Sequence, residues 1–184
     1  MEQPSEKTAS HQQNSFLNHA LNYLIDHYTL VFLFITLSCF LYKITFTSSK
    51  MTEAFLISFL TWNVGVRGLV AFVANWFPPF ADQIAISYGW PLQSSFQREI
   101  ASAEGAFGVL GILCNWFTDG FWVATVVAVS FCWFFSELGG LIKIARRKKD
   151  PSYQLNDSLH FGMRLDLIFS ILLLVCLIFW KKGF

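Results

Sequence analysis

Apolar residues follow one another along this chain in five long runs, and each run has the length of a helix that crosses a membrane. The runs cover about residues 28–46, 53–77, 97–117, 121–144 and 162–180. A hydrocarbon core of about 30 Å requires roughly 20 apolar residues in a helix. The pattern therefore predicts an all-α fold: an integral membrane helical bundle of about five transmembrane helices, made of a four-helix core and an added N-terminal span.

The chain before the first run has two parts. Residues 1–13 are polar and show no hydrophobic period, so we predict a disordered cytoplasmic tail. In residues 14–27 apolar side chains recur at helical spacing, with Asn and Asp side chains on the opposite face. This alternation predicts an amphipathic helix that lies at the membrane surface or leads into the first span. Residues 28–184 then form the membrane domain.

Polar residues inside the second and third runs carry the candidate chemistry. Asn63 and Arg67 lie near the middle of the second run, and Glu104 lies inside the third. A charged side chain at the centre of a bilayer costs about 2.5–3.5 kcal/mol on insertion scales, and pairing reduces that cost. We therefore predict that Arg67 and Glu104 pair across these helices. The pair either only fixes helix register, or forms an intramembrane polar site with Asn63 and Asn115.

Small residues accompany Glu104 on one stripe of the third helix. At about 100° per residue, the stripe contains Gln97, Ala101, Glu104, Gly108, Gly111 and Asn115. Small residues let membrane helices approach one another closely. We therefore interpret Gly105, Gly108 and Gly111 as packing residues.

Two further carboxylates lie within a few turns of the ends of the last two runs. They are Glu137 in the fourth run and Asp166 in the fifth. Intramembrane carboxylates build proton relays, and a relay that includes Glu104 is one interpretation of these residues. Pairing with Lys143 or Arg164 is the other.

Basic residues determine the predicted orientation. With five spans, eight Lys and Arg residues lie on the side of the N-terminus and four lie on the opposite side. Since cytoplasmic loops carry the excess of basic residues, we predict a cytoplasmic N-terminus and a cytoplasmic basic loop. This loop contains Lys143, Arg146, Arg147, Lys148 and Lys149. We interpret the cluster as a topology signal, with binding of anionic lipid headgroups as the alternative.

Composition narrows the classes of function. Hydrophobic residues make up 54% of the 184 residues and charged residues 14%, with a net charge of +1, whereas globular domains have about 25% charged residues. This balance argues against a nucleic-acid partner. The four cysteines lie apart within apolar runs, and the sequence lacks CxxC, P-loop, GxSxG, HExxH and GxGxxG motifs. We therefore predict no metal and no cofactor. The absence of these motifs favours a protein that is not an enzyme.

Two stretches between residues 67 and 142 carry a family resemblance. They read FADQIAISYGWPLQSSFQREIASAEGAFGVLGIL and GFWVATVVAVS, and Asp166 follows in the last run. They resemble a family of small bacterial multi-pass membrane proteins of unknown function, although the chain departs from it at Glu104 and at Gly139-Gly140. A fainter resemblance is to the DoxX-like four-helix membrane bundles, which have an arginine on an early span and a glutamate before glycines on the next. These resemblances imply a bacterial inner membrane and, for the DoxX-like bundles, a redox-linked or quinone-associated subunit.

Three hypotheses of function follow from these observations. The leading one is a non-enzymatic bundle that binds a small molecule or a partner subunit at Arg67, Glu104 and Asn115, with Asn63 supporting them. The second is a small-solute or proton-coupled transporter that uses Glu104, Glu137 and Asp166. The third is the redox or quinone-associated subunit. The predicted partners are membrane lipids, together with a second copy of the chain or another membrane subunit.

Overall fold

The computed structural model describes most of the chain and shows helices joined by turns. It describes the backbone of residues 6–47, 50–78, 80–88, 91–92, 94–147 and 157–183. Within these ranges it describes side chains from residue 27 onward, except at 87, 88, 143, 144, 146, 147, 157–161 and 163. No strand occurs in the described part of the chain, in agreement with the all-α prediction.

The first helix, α1, runs without a break from Glu6 to Thr47. It includes the predicted amphipathic helix, the first apolar run and most of the predicted tail. The prediction of disorder is therefore wrong for residues 6–13, while residues 1–5 lie outside the described residues. Neither Gly nor Pro interrupts this stretch, and once a helix has nucleated, each further residue extends it at low cost.

The second apolar run forms one helical rod in three segments. These are α2 (Met51–Ser58), a π-helical segment (Phe59–Val66, called the π segment below) and α3 (Arg67–Trp76). The rod ends before Pro78. Phe77 is extended, with φ −101° and ψ 122°, because the ring of the following proline disfavours helical dihedrals. π-Helical turns are rare and are frequent at functional sites.

A short helix, α4 (Phe80–Tyr88), lies between α3 and α5 (Ser95–Leu113). Its apolar face, formed by Ala81, Ile84 and Ala85, is buried. The Gln97 side chain links the two helices, because its Nε2 donates to the carbonyl of Ala81 at 2.6 Å. The Ser94 hydroxyl caps α5 by accepting from the Gln97 amide at 3.2 Å.

Glycines bring α5 into backbone contact with the central rod. A Cβ added at Gly68 would lie 2.7 Å from the Glu104 carbonyl oxygen, and one added at Gly108 would lie 2.7 Å from the Leu69 nitrogen. At Gly111 an added Cβ would lie 2.6 Å from the Gly65 nitrogen. This confirms the interpretation of the α5 glycines as packing residues, since any side chain there would collide with the facing backbone.

The remaining long helices are α6 (Gly120–Arg147) and α7 (Asp157–Lys181), which pack along each other. Their buried side chains meet those of α2 and the π segment, and the rings of Phe59 and Phe169 lie edge to face at 5.1 Å. α1 closes the bundle by packing on α2, the π segment and α7. The core residues include Leu56, Phe59, Leu60, Val64, Trp122, Val126, Val129, Trp133, Phe169 and Leu173.

Two contacts show which helix ends lie together. Lys50, which follows α1, donates from Nζ to the carbonyl of Gly183 at 3.1 Å. The rings of Trp122 and Trp180 lie 5.2 Å apart. The start of α2, the start of α6 and the end of α7 therefore share one end of the bundle. The turn before α6 is tight, and Asp119 takes a left-handed φ of 53° there.

The surface of the bundle is apolar, and polar groups lie inside it. Phe34, Phe131 and Ile168 are 72%, 65% and 56% exposed, whereas Asn63 is fully buried and Asp166 is 7% exposed. Within the described residues three helices are long and apolar enough to cross a membrane: His27–Thr47, Met51–Trp76 and Gly120–Ile142. An apolar exterior of this kind suits lipid and does not suit water.

Candidate functional site

Arg67, the first residue of α3, forms an ion pair with Asp166 on α7. Its Nη1 lies 2.6 Å from Oδ1 of the carboxylate, and its Nη2 lies 2.5 Å from Oδ2. The two side chains are only 6% and 10% exposed. Two parallel N–H···O bonds give an arginine–carboxylate pair its strongest geometry. The pair therefore ties the central rod to the last helix of the bundle.

Asn63, Tyr28 and Trp133 complete the surroundings of the guanidinium. Nη1 also donates to Oδ1 of Asn63 at 2.9 Å, and Nη2 donates to the hydroxyl of Tyr28 at 3.2 Å. The rings of Tyr28 and Trp133 have their centroids 4.9 and 5.3 Å from Cζ of Arg67, within cation–π range. The two Nη atoms carry four N–H groups, and four acceptors surround them.

Glu104 is not the ion-pair partner of Arg67, so the predicted pairing is wrong. Glu104 is half-buried on α5 and interacts electrostatically with Arg67 and Asp166. No hydrogen bond or ion pair joins its carboxylate to another residue in the described part of the chain. The glycine contacts explain the difference, because the α3 and α5 backbones touch at Gly68 and Glu104. The arginine side chain contacts Asp166 on α7 instead.

Glu137 joins the same group of charges from α6. It lies one turn beyond Trp133, is half-buried, and interacts electrostatically with Asp166, Arg67 and Glu104. Its carboxylate also has no hydrogen bond or ion pair with another described residue. Each of the five long helices thus contributes an ionisable side chain to what we call the polar cluster: Tyr28, Asn63, Arg67, Glu104, Glu137 and Asp166.

Asn115 lies away from the polar cluster, contrary to the prediction. α5 ends at Leu113, and Asn115 lies exposed in the turn that follows. Its Nδ2 donates to the Thr61 hydroxyl and to the Ile112 carbonyl, each at 2.9 Å. A rise of 1.5 Å per residue separates it from Glu104 by about 16 Å along α5. Residues on one face of a long helix point in the same direction, but they can lie far apart along the helix axis.

One buried polar atom in the polar cluster has no partner. Asn63 is fully buried, and its Nδ2 makes no hydrogen bond within the described structure. The orientation of the amide is fixed because arginine can only donate hydrogen bonds. The amide oxygen therefore faces Arg67, and the amide nitrogen points away from it without an acceptor. A buried donor without an acceptor costs about 1–3 kcal/mol.

The other predicted sites lie outside the polar cluster or outside the described side chains. The side chains of the basic loop, Lys143, Arg146, Arg147, Lys148 and Lys149, are not among those described, so lipid binding there stays a prediction. Cys39, Cys114, Cys132 and Cys176 are free thiols. Among the described residues no group of three His, Cys, Asp or Glu is close enough to hold a metal ion.

Comparison with known proteins identifies the family. The sequence model of DUF6790, a family of unknown function, matches residues 26–183. The chain belongs to this family. The DUF6790 match starts inside α1 and includes every residue of the polar cluster, so the cluster lies wholly within the family domain. No curated protein and no solved structure matches the chain. The resemblance to an uncharacterised family is thus supported, while the likeness to DoxX-like bundles stays a prediction.

Sequence reasoning missed two aromatic members of the site, Tyr28 and Trp133. Tyr28 stands at the start of the first run, where an aromatic residue is expected at a membrane interface, and Trp133 is one of many aromatic residues in the fourth run. A partial signal exists for Trp133, since it lies four residues before Glu137 and therefore on the same helix face. Their contact with Arg67 depends on how α1 and α6 pack.

Proposed function

We propose that this DUF6790 protein is a five-span integral membrane protein of the bacterial inner membrane, with its N-terminus in the cytoplasm. Three helices meet the length and composition needed to cross a membrane, and α5 and α7 accompany them in the same bundle. The exposed apolar surface supports this arrangement. The excess of basic residues on the side of the N-terminus supports the orientation.

A labelling experiment tests this topology. Two variants each place a single thiol at an exposed position on one side of the α5 span, in a background whose four native cysteines are replaced by alanine. Ser95→Cys lies at the start of α5, and Thr118→Cys lies in the turn between α5 and α6. We expect a membrane-impermeant maleimide to label position 118 in intact cells and position 95 only after the membrane is opened. Equal labelling of both positions in intact cells would contradict the five-span arrangement.

We further propose that the protein is a non-enzymatic bundle that binds a small molecule at the polar cluster. The observation that carries this proposal is that both Nη atoms of Arg67 have acceptors, while the Glu104 carboxylate and the amide nitrogen of Asn63 lack partners in the described structure. Unpaired polar groups inside a membrane protein are costly and are a sign of a functional site. A bound molecule supplies the missing partners.

The site also retains features of the transporter hypothesis. Glu104 and Glu137 both lack a basic partner in the described structure and interact electrostatically with each other, as carboxylates in a relay do. A carrier needs the same binding site, however, and the binding experiment below therefore comes first. Asp166 is committed to Arg67, so it serves here as a structural partner.

The binding proposal predicts a retained molecule. Protein purified gently from membranes is expected to release a small molecule on denaturation, detected by mass spectrometry, and Glu104→Gln is expected to lose it because the carboxylate charge is gone. Glu99→Gln, the same change at an exposed position of α5, is the matched control and should retain it. Equal amounts of the molecule in wild type and Glu104→Gln, with equal helix content, would show that the cluster does not bind it.

A further inference from the structure

From the polar cluster we infer the class of ligand: a small organic cation that also carries a hydrogen-bond acceptor. This inference rests on the proposed function, since it takes the cluster to be a binding site and names what fits it. The cation would lie near Glu104 and Glu137, and its acceptor would meet Nδ2 of Asn63. Two independent features, one of charge and one of hydrogen bonding, support the assignment.

The charges of the polar cluster favour a cation over an anion. The cluster contains one guanidinium and three carboxylates, and Asp166 already takes both Nη atoms of Arg67. Glu104 and Glu137 therefore have no ion-pair partner in the described structure. An anionic ligand would find every Nη hydrogen of Arg67 engaged, whereas a cation could form an ion pair with a carboxyl group that has no such partner.

The Asn63 amide gives the second, independent feature. Its Nδ2 is a buried donor without an acceptor, and it is bonded to the same carbon as the oxygen that faces Arg67. The unpaired donor therefore lies within the polar cluster. Asn63 belongs to the π segment of the central rod. No described residue accepts a hydrogen bond from its Nδ2. A hydroxyl or carbonyl oxygen of a ligand would satisfy it.

The ligand geometry favours an organic cation over a metal ion. The described carboxylates are not grouped closely enough to hold a metal ion, and a metal ion would bring no acceptor for an amide N–H. An ammonium group attached to a short polar chain supplies both functions. Glu104 is half-buried, whereas Asn63 is fully buried.

Three probes of similar size separate these contributions. Ethanolamine carries a cation and an acceptor, propylamine replaces the hydroxyl with a methyl group, and glycolate reverses the charge. Binding is measured as the concentration-dependent rise in melting temperature of the purified full chain in detergent. We expect ethanolamine to bind roughly fivefold more tightly than propylamine, the difference that one hydrogen bond gives, and we expect no shift with glycolate.

Variants assign the effect to the two side chains. Asn63→Leu should abolish the preference for ethanolamine over propylamine, and Asn75→Leu, the same change on the same rod outside the cluster, should preserve it. Glu104→Gln should weaken both amines more than tenfold, and Glu99→Gln should not. If Asn63→Leu does not fold, Asn63→Ser removes the same amide nitrogen, and the comparison of probes on the wild type needs no variant.

The outcomes distinguish this inference from the proposed function. Stabilisation by glycolate instead of the amines would overturn the cation assignment, while the cluster would still be a binding site. Equal binding of ethanolamine and propylamine by the wild type would overturn the role of Asn63. If no probe binds and yet a molecule is retained in a Glu104-dependent way, the ligand belongs to another class. If nothing is bound or retained, both proposals fail.

Discussion

Replacing Asp166 with leucine is expected to lower the free energy of unfolding by about 3–5 kcal/mol, the range found when one partner of a buried ion pair is removed. Arg67 would keep only Asn63 and Tyr28 as hydrogen-bond partners, and its charge would remain in the interior of the bundle. Leucine is larger than aspartate, so the loss measures the removed charge and hydrogen bonds together with any repacking around the new side chain. The measurement is unfolding by sodium dodecyl sulfate in mixed micelles, followed by circular dichroism.

The double variant Arg67→Leu/Asp166→Leu tests the cause of this loss. Because it removes both charges together, we expect it to be more stable than Asp166→Leu alone. Arg164→Leu, which removes an exposed charge two residues from Asp166 on the same helix, is the control and should change stability little. If the Asp166→Leu loss is no larger than that of the control, the ion pair does not hold α7 on the rod.

A single methyl group at Gly111 is expected to destabilise the bundle by at least about 1–3 kcal/mol, the usual cost of overpacking. In Gly111→Ala the new Cβ would collide with the Leu60 carbonyl oxygen and would lie 2.8 Å from the Cα of Gly65. These are backbone atoms and cannot rotate away. The collision therefore outweighs the roughly 1 kcal/mol by which alanine is a better helix former than glycine.

Gly139→Ala is the matched control for this substitution. Gly139 lies on α6, and a Cβ there would meet nothing within 4 Å. The same change should thus be neutral or stabilise the protein by up to about 1 kcal/mol. The same unfolding measurement compares the two variants. Equal effects at the two positions would show that α5 and the central rod are not in backbone contact.

The glycine contacts and the ion pair are parts of one arrangement. α5 packs closely against the central rod at four glycines, Gly65, Gly68, Gly108 and Gly111. The backbone of α5 therefore fills the space on that side of the rod. The guanidinium is then directed towards α7, Tyr28 and Trp133. We therefore expect changes at the glycines to alter the polar cluster as well as stability.

The π segment contributes residues both to the polar cluster and to the glycine contacts. It contains Asn63 and Gly65 and ends at the residue before Arg67. A π-helical turn changes the direction of the side chains that follow it relative to an α-helix. The sequence offers no residue pattern that marks this segment, because it reads as an ordinary apolar run, FLTWNVGV.

Much of the secondary structure could be predicted from the sequence. The apolar runs, Pro78 and the small residues of α5 act locally, through hydrophobicity, backbone geometry and size, and the structure has helices at all five runs. Errors occurred where local signals are weak. Polar residues after Glu6 continue α1 as a helix, and Asn115 lies past the end of α5.

The sequence by itself therefore determined that the chain forms long apolar helices with a few costly polar groups inside, since both properties depend on residue type and spacing. Only the tertiary structure decided which of these groups meet. Arg67 and Asp166 are separated by 99 residues along the chain, and helical periodicity gives each side chain a direction but no partner. The packing of the helices brings Arg67 to Asp166 instead of Glu104, and it leaves the Glu104 carboxylate and the Asn63 amide nitrogen without partners in the described structure.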